Sequence, residues 1–383
     1  HSIQMAGLYI HIPFCKQACH YCDFHFSTNL KSIASVVDCI CIELELRKDY
    51  LKGELVDTIY FGGGTPSLLP TESLEKILTQ IALFFPGKRQ EVTLEANPDD
   101  LNPQALATWK SLGIDRLSLG IQSFQDPILK AYNRAHTSKE AKQAIQLARV
   151  AGFEKFSIDL IYGYPHSDHS LWHLDLEEAL RLDPGHLSAY SLTIEPKTTF
   201  GNWTQKGKFS PAEDEFVAQQ YEWLQEQCDK AGYVQYEISN FSRPNQAAVH
   251  NSNYWKRSPY LGIGPSAHSF DGESRGFNPS SNPSYAKALA KGIVPLVIEN
   301  LSSSERINEE ILTGLRTHWG VDTESLAERY RLDILEIKKG PITKLTALGM
   351  IHTLGKRLTL TRKGQLLADS IASEIFIDSH DLS

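Results

Sequence analysis

Three cysteines close together near the start of the sequence could hold an inorganic cluster. Cys15, Cys19 and Cys22 form a C-x3-C-x2-C pattern directly after the apolar run Leu8–Ile12. Thiolate ligands favour iron–sulfur clusters or zinc. A [4Fe–4S] cluster held by three cysteines keeps one iron without a protein ligand, and that iron can bind a small molecule. The spacing therefore favours a cluster with one open coordination position.

Zinc is the main alternative for the same loop, with His20 or Asp23 as the fourth ligand. Structural zinc sites more often use paired C-x2-C arms that lie far apart in the chain, so zinc is less favoured. A disulfide is favoured least, because the other cysteines do not form the framework of a secreted protein. Those others, Cys39, Cys41 and Cys228, are interpreted as small buried residues.

The composition is that of an ordinary globular protein long enough for two domains. The 383 residues are 41% hydrophobic and 22% charged, with a formal net charge of -8. This acidic balance argues against nucleic acid or an anionic membrane as the main partner. No apolar stretch is long enough to span a bilayer, and the few cysteines predict a reducing, cytoplasmic location. His1–Gln4 are interpreted as an expression remnant.

Short apolar runs alternate with amphipathic segments along the first 230 or so residues. Such alternation favours a parallel sheet with helices outside. Since six units are too few for a closed eight-stranded barrel, we predict an α/β fold with a six-stranded, partial (β/α)6 TIM-like barrel. The predicted strands are Leu8–Ile12, Asp57–Phe61, Glu91–Ala96, Arg116–Ile121, Lys155–Leu160 and Leu187–Leu192. The predicted helices lie near 31–50, 71–85, 103–112, 138–151, 170–182 and 211–231.

The sequence pattern changes after about residue 232 and predicts three parts. Residues 5–235 form the barrel, 236–300 an irregular connecting region, and 301–383 a C-terminal α+β, winged-helix-like domain. In that last part we expect short helices from Ser303, a β-wing at Leu358–Thr361 and a final amphipathic helix, Lys363–Phe376.

The ends of the six predicted strands carry polar groups or glycines, and in β/α barrels such ends form the active face. Gly62–Gly64 can approach a ligand closely, although a plain tight turn is equally consistent. The Walker lysine and serine are absent, which leaves backbone hydrogen bonding to an amino-acid ammonium or carboxylate. The strand ends are the cysteine loop, Gly62–Pro66, Glu95–Pro98, Gln122–Phe124, Asp159 with Tyr162-Gly163, and Tyr190-Ser191.

Four polar side chains at these ends suit a ligand with amino-acid and ribose groups. Arg134 offers a bidentate fork for a carboxylate, and Asp159 suits a ribose diol. Glu95 suits an ammonium or a ribose hydroxyl. Taken singly, each of these and Gln122 is consistent with a structural role. Together, beside an iron with an open position, they predict a site for an amino-acid-bearing nucleoside.

This combination resembles the radical SAM superfamily, in which C-x3-C-x2-C binds [4Fe–4S] and the open iron chelates S-adenosylmethionine. Reduction in that family releases a 5′-deoxyadenosyl radical. Five blocks resemble its anaerobic coproporphyrinogen III dehydrogenase-like group: Tyr9–Cys15, Gly62–Ser67, Leu119–Phe124, Asp159–Gly163 and Leu192–Pro196. The resemblance implies S-adenosylmethionine contacts at Tyr9, Tyr21, Gly63, Gly64, Thr65, Glu95, Gln122, Arg134 and Asp159, and weaker ones at Ser191 and His268.

Two features favour one branch of that group, the HemW-type haem chaperones. The dehydrogenases carry a further cysteine two residues after the third cluster cysteine, where this sequence has Phe24. His250–Trp255 also matches the H-N-x-x-Y-W motif of the HemW type, which is implicated in haem binding. The resemblance therefore implies His250 as a haem ligand, with Tyr254 and Trp255 against the macrocycle. A packed loop histidine is the alternative.

Three functions are compared. The expected one is a haem chaperone with a radical SAM core and no coproporphyrinogen dehydrogenase activity, which delivers haem to respiratory haem proteins. The alternatives are an oxygen-independent coproporphyrinogen III dehydrogenase and a nucleic-acid-directed radical SAM protein, and the net charge argues against the latter. The resemblance implies as partners haem, haem-acceptor proteins including membrane-associated respiratory enzymes, an electron donor such as flavodoxin or ferredoxin, and a second copy in a homodimer. No side chain is assigned a catalytic role.

Overall fold

The computed structural model of the protein describes residues 5–382. His1–Gln4, interpreted above as an expression remnant, and Ser383, the end of the predicted C-terminal domain, lie outside the described residues.

Six parallel strands, adjacent in chain order, form the centre of a large sheet. They are rich in fully buried aliphatic side chains such as Leu8, Ile10 and Leu119, as expected for parallel strands covered by helices. The predicted α/β class with a mostly parallel sheet is confirmed. The strands are β1 (Met5–Ile12), β2 (Leu55–Gly63), β3 (Glu91–Ala96), β4 (Arg116–Gln122), β5 (Lys155–Tyr162) and β6 (His186–Ser191).

Helices follow each of these strands and cover the core. Six of them match the predicted segments to within a few residues: α1 (Ile33–Leu46), α2 (Thr71–Phe84), α3 (Pro103–Ser111), α5 (Ser138–Val150), α6 (Ser170–Leu182) and α8 (Asp214–Lys230). Two short helices lie outside the predicted segments, α4 (Asp126–Ala131) and α7 (Thr199–Gln205). Both lie in loops that follow the C-terminal ends of strands, so they border the predicted site.

The connecting region is more regular than the sequence predicts. Its short strands extend the central sheet on both sides to twelve strands. At one side β8 pairs antiparallel with β6, and at the other β9 pairs parallel with β1. The elements are β7 (Val234–Glu237), β8 (Asn240–Ser242), α9 (Val249–Trp255), β9 (Tyr260–Ile263), β10 (His268–Phe270), β11 (Ser274–Phe277), α10 (Asn282–Ala290) and β12 (Val297–Asn300).

A buried carboxylate joins this extension to the core. Glu43 on α1 has no exposed surface and accepts a hydrogen bond from the buried guanidinium of Arg47 at 3.1 Å. It also accepts hydrogen bonds from the Gly264 amide at 2.9 Å, the Asn278 side chain and the Tyr285 hydroxyl at 2.7 Å. The loops around β9 and β11 are therefore fixed to α1 by charge-assisted hydrogen bonds.

The C-terminal part has a second apolar core around a small antiparallel sheet. Its final helix differs from the prediction of one segment, Lys363–Phe376, because Leu367 adopts a non-helical conformation with φ -123° and divides it. The elements are α11 (Ser303–Leu315), β13 (Val321–Asp322), α12 (Thr323–Tyr330), α13 (Ile334–Ile337), α14 (Lys339–Ala347), β14 (Ile351–Leu354), β15 (Arg357–Leu360), α15 (Arg362–Gln365) and α16 (Ala368–Ile375). Within residues 5–382, no helix is both long and apolar enough to cross a bilayer.

Candidate functional site

The C-terminal ends of β1 to β5 surround one cavity of about 390 Å³. Its walls bring together the three cysteines of the predicted cluster loop and most of the residues expected to contact S-adenosylmethionine. These are Cys15, Cys19, Cys22, Tyr9, Tyr21, Gly63, Gly64, Thr65, Glu95, Gln122, Arg134 and Asp159.

The glycine loop lies directly against the segment that leads to Cys15. Gly64 donates a backbone hydrogen bond to Ile12 at 2.7 Å, and Thr65 donates one to Phe14 at 2.6 Å. A Cβ atom on Gly64 would lie 2.5 Å from the Phe14 carbonyl oxygen, and Gly63 has a φ of +101°. Only glycine fits these two positions without strain.

A chain of side-chain hydrogen bonds connects the cysteine loop with the ends of three strands. The Thr65 hydroxyl donates to the Cys15 sulfur at 3.6 Å and accepts from Asn97 at 3.4 Å. Arg134 donates to Asn97 Oδ1 and to the Gly120 carbonyl, both at 2.9 Å. Its Nε is buried and has no hydrogen-bond partner among residues 5–382. An unpartnered guanidinium donor in the cavity wall suits a carboxylate-bearing ligand.

The three cysteines lie close together on the loop. Cys15 is 9% exposed, and burial raises the pKa of its thiol. The Cα atoms of Cys19 and Cys22 are 5.5 Å apart, which brings their side chains together. Clusters are held by thiolates, so all three cysteines have to be in the reduced form to bind iron.

Neither candidate for a fourth zinc ligand, His20 or Asp23, lies in the cavity wall with the cysteines. The His20 ring donates a hydrogen bond from Nδ1 to the Ala131 carbonyl, 2.9 Å away, and packs edge-on against Phe200 and Trp203. Asp23 is exposed and lies outside the cavity wall. The zinc alternative is therefore not supported.

Two acidic side chains face the cavity, Glu95 from β3 and Asp159 from β5. The Tyr60 hydroxyl donates to Glu95 at 2.6 Å. Burial, together with the proximity of Asp159, raises the pKa of Glu95 to about 8, and burial raises that of Asp159 to about 6. At neutral pH, Glu95 is thus largely protonated until a cationic group enters the cavity.

Replacing Glu95 with glutamine is expected to flatten the pH dependence of stability. The folded state retains a proton on Glu95 between its ordinary pKa of 4.5 and about 8, whereas the unfolded chain has lost it. The unfolding free energy contributed by this group therefore falls as the pH rises through that range. The unfolding free energy of E95Q minus that of the wild type should be larger at pH 8 than at pH 5, by on the order of 2 kcal/mol. Urea unfolding of the ligand-free protein at both pH values measures this gain.

The matched control is E75Q, since Glu75 is an exposed carboxylate on α2. This variant should follow the wild-type stability curve at both pH values. Parallel curves for the wild type and E95Q would show that Glu95 does not titrate abnormally.

A second cleft, of about 530 Å³, adjoins the first cavity. The two share the side chains of Tyr9, His11 and Phe24. His268 lies in the wall of this second cleft and outside that of the first cavity, whereas Ser191 lies in neither wall. These two weaker S-adenosylmethionine assignments therefore differ in position from the other nine.

The structure encloses His250, the histidine expected to ligate haem. Its side chain is 1% exposed, with Nδ1 2.8 Å from the Thr58 hydroxyl and Nε2 2.6 Å from the Tyr254 hydroxyl. The ring also stacks on Tyr60 at 5.2 Å, and burial lowers its pKa to about 3. Both nitrogens are engaged and the ring is enclosed, as in a packed histidine, and haem ligation by His250 stays a prediction.

Sequence reasoning did not single out Lys16 or Asn97. The Lys16 ammonium forms ion pairs with Asp99, at 2.7 Å, and with Asp100, which tie the cysteine loop to the loop after β3. Asn97 lies at the end of a predicted strand, and this position could have indicated that it belongs to the site. Lys16 follows Cys15, but no sequence pattern indicates that it pairs with Asp99 and Asp100.

Comparisons with known proteins agree with this geometry. Residues 9–176 match the family model described as the Radical SAM superfamily, and residues 301–367 match the HemN C-terminal domain. A Bacillus subtilis protein named Heme chaperone HemW is 36% identical over 378 residues, which cover 96% of this chain and 98% of the relative. The chain belongs to the HemW family. Another member of the HemW family, from Escherichia coli, is 39% identical over 268 residues, covering 68% of this chain and 69% of that protein.

A solved structure shows the same fold. Escherichia coli coproporphyrinogen III oxidase, described as a radical SAM enzyme, aligns with a TM-score of 0.83 over 97% of this chain and 90% of that chain. At 21% identity, this similarity concerns the fold alone. The HemW family therefore shares its architecture with an oxidase. The fold alone does not separate a haem chaperone from an oxidase, so this distinction depends on the residues of the site.

Proposed function

We propose that this protein is a haem chaperone with a radical SAM core, which binds haem and delivers it to respiratory haem proteins. The observation that carries the proposal is the identity of 36% over nearly the full length of a relative named Heme chaperone HemW. The shared cavity at the strand ends supports it, because it gathers the residues that the radical SAM superfamily requires.

The same cavity is proposed to hold a [4Fe–4S] cluster and S-adenosylmethionine. Reduced Cys15, Cys19 and Cys22 would ligate three irons. Glu95 and Arg134, with its unpartnered Nε, suit the ammonium and carboxylate of an amino acid, and Asp159 suits a ribose diol. When bound and reduced, the cluster supplies an electron that cleaves the sulfonium. Gly63 and Gly64 keep the loop beside Cys15 thin enough for the ligand to approach.

Phe24 argues against the alternative function, coproporphyrinogen III dehydrogenation. The dehydrogenases are expected to have a cysteine at this position, whereas the Phe24 side chain offers no sulfur and is 42% exposed. It contributes to the walls of both the first cavity and the second cleft. An aromatic side chain between the two suits packing against a ligand rather than chemistry on it.

The architecture is proposed to consist of three parts. The six parallel strands within residues 5–235 form the partial (β/α)6 barrel, and 236–300 connect it to a winged-helix-like domain at 301–383. The hairpin of β14 and β15 supports the last assignment, since it resembles a wing after α14. A cytoplasmic location, a flavodoxin or ferredoxin as electron donor, haem-acceptor proteins including membrane-associated enzymes, a homodimer and no nucleic-acid partner complete the proposal.

Turnover and haem binding separate the two functions. The anaerobically reconstituted protein, supplied with reductant, S-adenosylmethionine and coproporphyrinogen III, is expected to form no protoporphyrinogen IX. It should bind haem and release it to the haem-free form of a respiratory haem protein. Chromatographic analysis of the porphyrins and absorption spectra after gel filtration measure these outcomes.

An active coproporphyrinogen III oxidase, treated identically, is the positive control for turnover. Formation of protoporphyrinogen IX by this protein would establish the dehydrogenase alternative. Failure to retain haem through gel filtration would refute the chaperone proposal.

A further inference from the structure

One row of polar side chains crosses the sheet behind the wall of the first cavity. In the parallel pairing of β5 with β6, Asp159 lies opposite Ser188. In the antiparallel pairing of β6 with β8, Ser188 lies opposite Asn240. Residues in register on neighbouring strands point to the same face of a sheet, so these three side chains share one face. Asp159 lines the first cavity, whereas Ser188 and Asn240 are buried and lie outside its wall.

The hydrogen bonds along this row are directed away from the cavity. The Ser188 hydroxyl donates to Asn240 Oδ1 at 2.7 Å, and Asn240 Nδ2 donates to Glu237 at 2.6 Å. Because both ends of the Asn240 amide are engaged, the amide cannot turn over without placing a buried donor against a donor. The orientation of Asn240 therefore directs the single hydroxyl hydrogen of Ser188.

The row ends at a buried carboxylate that the C-terminal part neutralises. The Glu237 side chain is 1% exposed and accepts a hydrogen bond from the Ser239 amide at 2.8 Å. Arg316, which follows α11, donates to Glu237 Oε1 from Nη2 at 2.9 Å and from Nε at 3.1 Å. The guanidinium also lies 3.7 Å from the exposed carboxylate of Asp369 and over the Trp255 ring. An unpaired charge in the interior is strongly unfavourable, so Arg316 keeps Glu237 in place as the acceptor for Asn240.

At the cavity end of the row, Asp159 competes with Asn240 for the same hydrogen. Burial raises the pKa of Asp159 to about 6, and two cations and two serines limit that rise: Arg116, Ser118, Arg134 and Ser188. Ser188 is thus placed to donate to Asp159, but it has one hydroxyl hydrogen, and this hydrogen is directed to Asn240. A carboxylate oxygen of Asp159 consequently stays free to accept from a ligand.

We propose that Asn240 is a positioning residue for recognition of the ribose in the first cavity: it draws the Ser188 hydrogen away from Asp159 and leaves that carboxylate free for the ribose hydroxyls. This inference rests on the proposed S-adenosylmethionine site and deepens it. Through Arg316 and Glu237, the C-terminal part contributes to a cavity that none of its described residues lines.

Removal of the Asn240 amide tests the inference. In N240L, a side chain of similar size cannot accept the Ser188 hydrogen, so Ser188 should donate to Asp159 and compete with the ribose. We expect S-adenosylmethionine to bind about threefold to tenfold more weakly, the range of one hydrogen bond. Its 2′,3′-dideoxyribose analogue should bind N240L and the wild type equally. Equilibrium dialysis against the anaerobically reconstituted protein, without reductant, measures both affinities.

A double variant separates this competition from damage to the fold. N240L/S188A removes the competing hydroxyl as well, so it should recover most of the wild-type preference for S-adenosylmethionine over the analogue. S242A is the matched control, since Ser242 is a buried serine on the same strand as Asn240 and lies outside the cavity wall. A double variant with no more preference than N240L would overturn the inference.

A charge change tests the contribution of the C-terminal part. R316Q leaves the buried carboxylate of Glu237 without its cation, so the preference for S-adenosylmethionine should fall as in N240L. E237Q/R316Q restores a neutral pair whose amide oxygen can accept from Asn240, and it should recover the preference. If R316Q weakened the binding of both compounds equally, the link between Arg316 and ribose recognition would be refuted.

Failure of this inference and failure of the proposed cofactor site give different results. If the wild type binds neither compound, the cofactor site itself fails. If the wild type prefers S-adenosylmethionine and N240L keeps that preference, the cofactor site stands and the role of Asn240 is refuted. A wild type that binds both compounds equally would refute ribose recognition by Asp159, and this inference with it.

Discussion

Replacing Cys15 with alanine is expected to abolish assembly of the iron–sulfur cluster. Two thiolates, from Cys19 and Cys22, would remain for a cluster that needs three protein ligands in this loop. Cys15 is also the most enclosed member, beside Thr65 and the glycine loop. Iron and sulfide per protein chain, measured after anaerobic reconstitution of the reduced protein, should fall to the level of a chelator-treated sample.

The control is C39A, which removes a thiol outside the cavity. Cys39 lies on α1 and packs against Tyr285 and Leu289, so its loss should leave the iron content at the wild-type level. A C15A variant that assembles a full cluster would refute the assignment of the three cysteines. Circular dichroism of both variants distinguishes this result from misfolding.

The central sheet was predictable because its signals are local and repeated. Each parallel strand is a short segment rich in apolar residues, and most are separated by an amphipathic helix of ordinary length. Once the strands are parallel, their C-terminal ends must meet at one edge. For this reason Glu95, Arg134 and Asp159, far apart in sequence, could be placed together before any coordinates.

The outer strands were not predictable because their pairing partners are distant. The three- and four-residue strands β8 and β9 have little periodicity of their own. They are stabilised by pairing, as in the register of Leu8 with Leu261 and of Leu187 with Phe241. Such contacts between residues far apart leave no local pattern, so the region 236–300 was expected to be irregular.

The environment of His250 could not be predicted from the sequence either. The motif places a histidine and two aromatic residues on one short helix, but it does not show which side chain faces inward. In the structure, Glu91 accepts the backbone hydrogen bonds of Val249 and His250 and fixes the start of α9 against the sheet. The histidine consequently turns toward Thr58, while Tyr254 and Trp255 contribute to the cleft.

Replacing Glu43 with alanine is expected to destabilise the protein by about 3–5 kcal/mol, because it leaves a buried charge without its partner. The Arg47 side chain is 3% exposed and would keep only the Gly262 carbonyl and the Ser269 hydroxyl as acceptors. The Gly264 amide would lose its acceptor as well, and the Asn278 side chain would keep only the Gly264 carbonyl. Urea unfolding of the wild type and E43A measures the change.

Matched variants separate the buried pair from the loss of any glutamate. E45A removes an exposed carboxylate from the same helix and should change the unfolding free energy by less than about 0.5 kcal/mol. The double variant E43L/R47M, which replaces both charges with apolar groups, should recover the part of the loss that comes from the unpaired Arg47 charge. If E43A were as stable as E45A, the loops around β9 and β11 would not depend on this carboxylate.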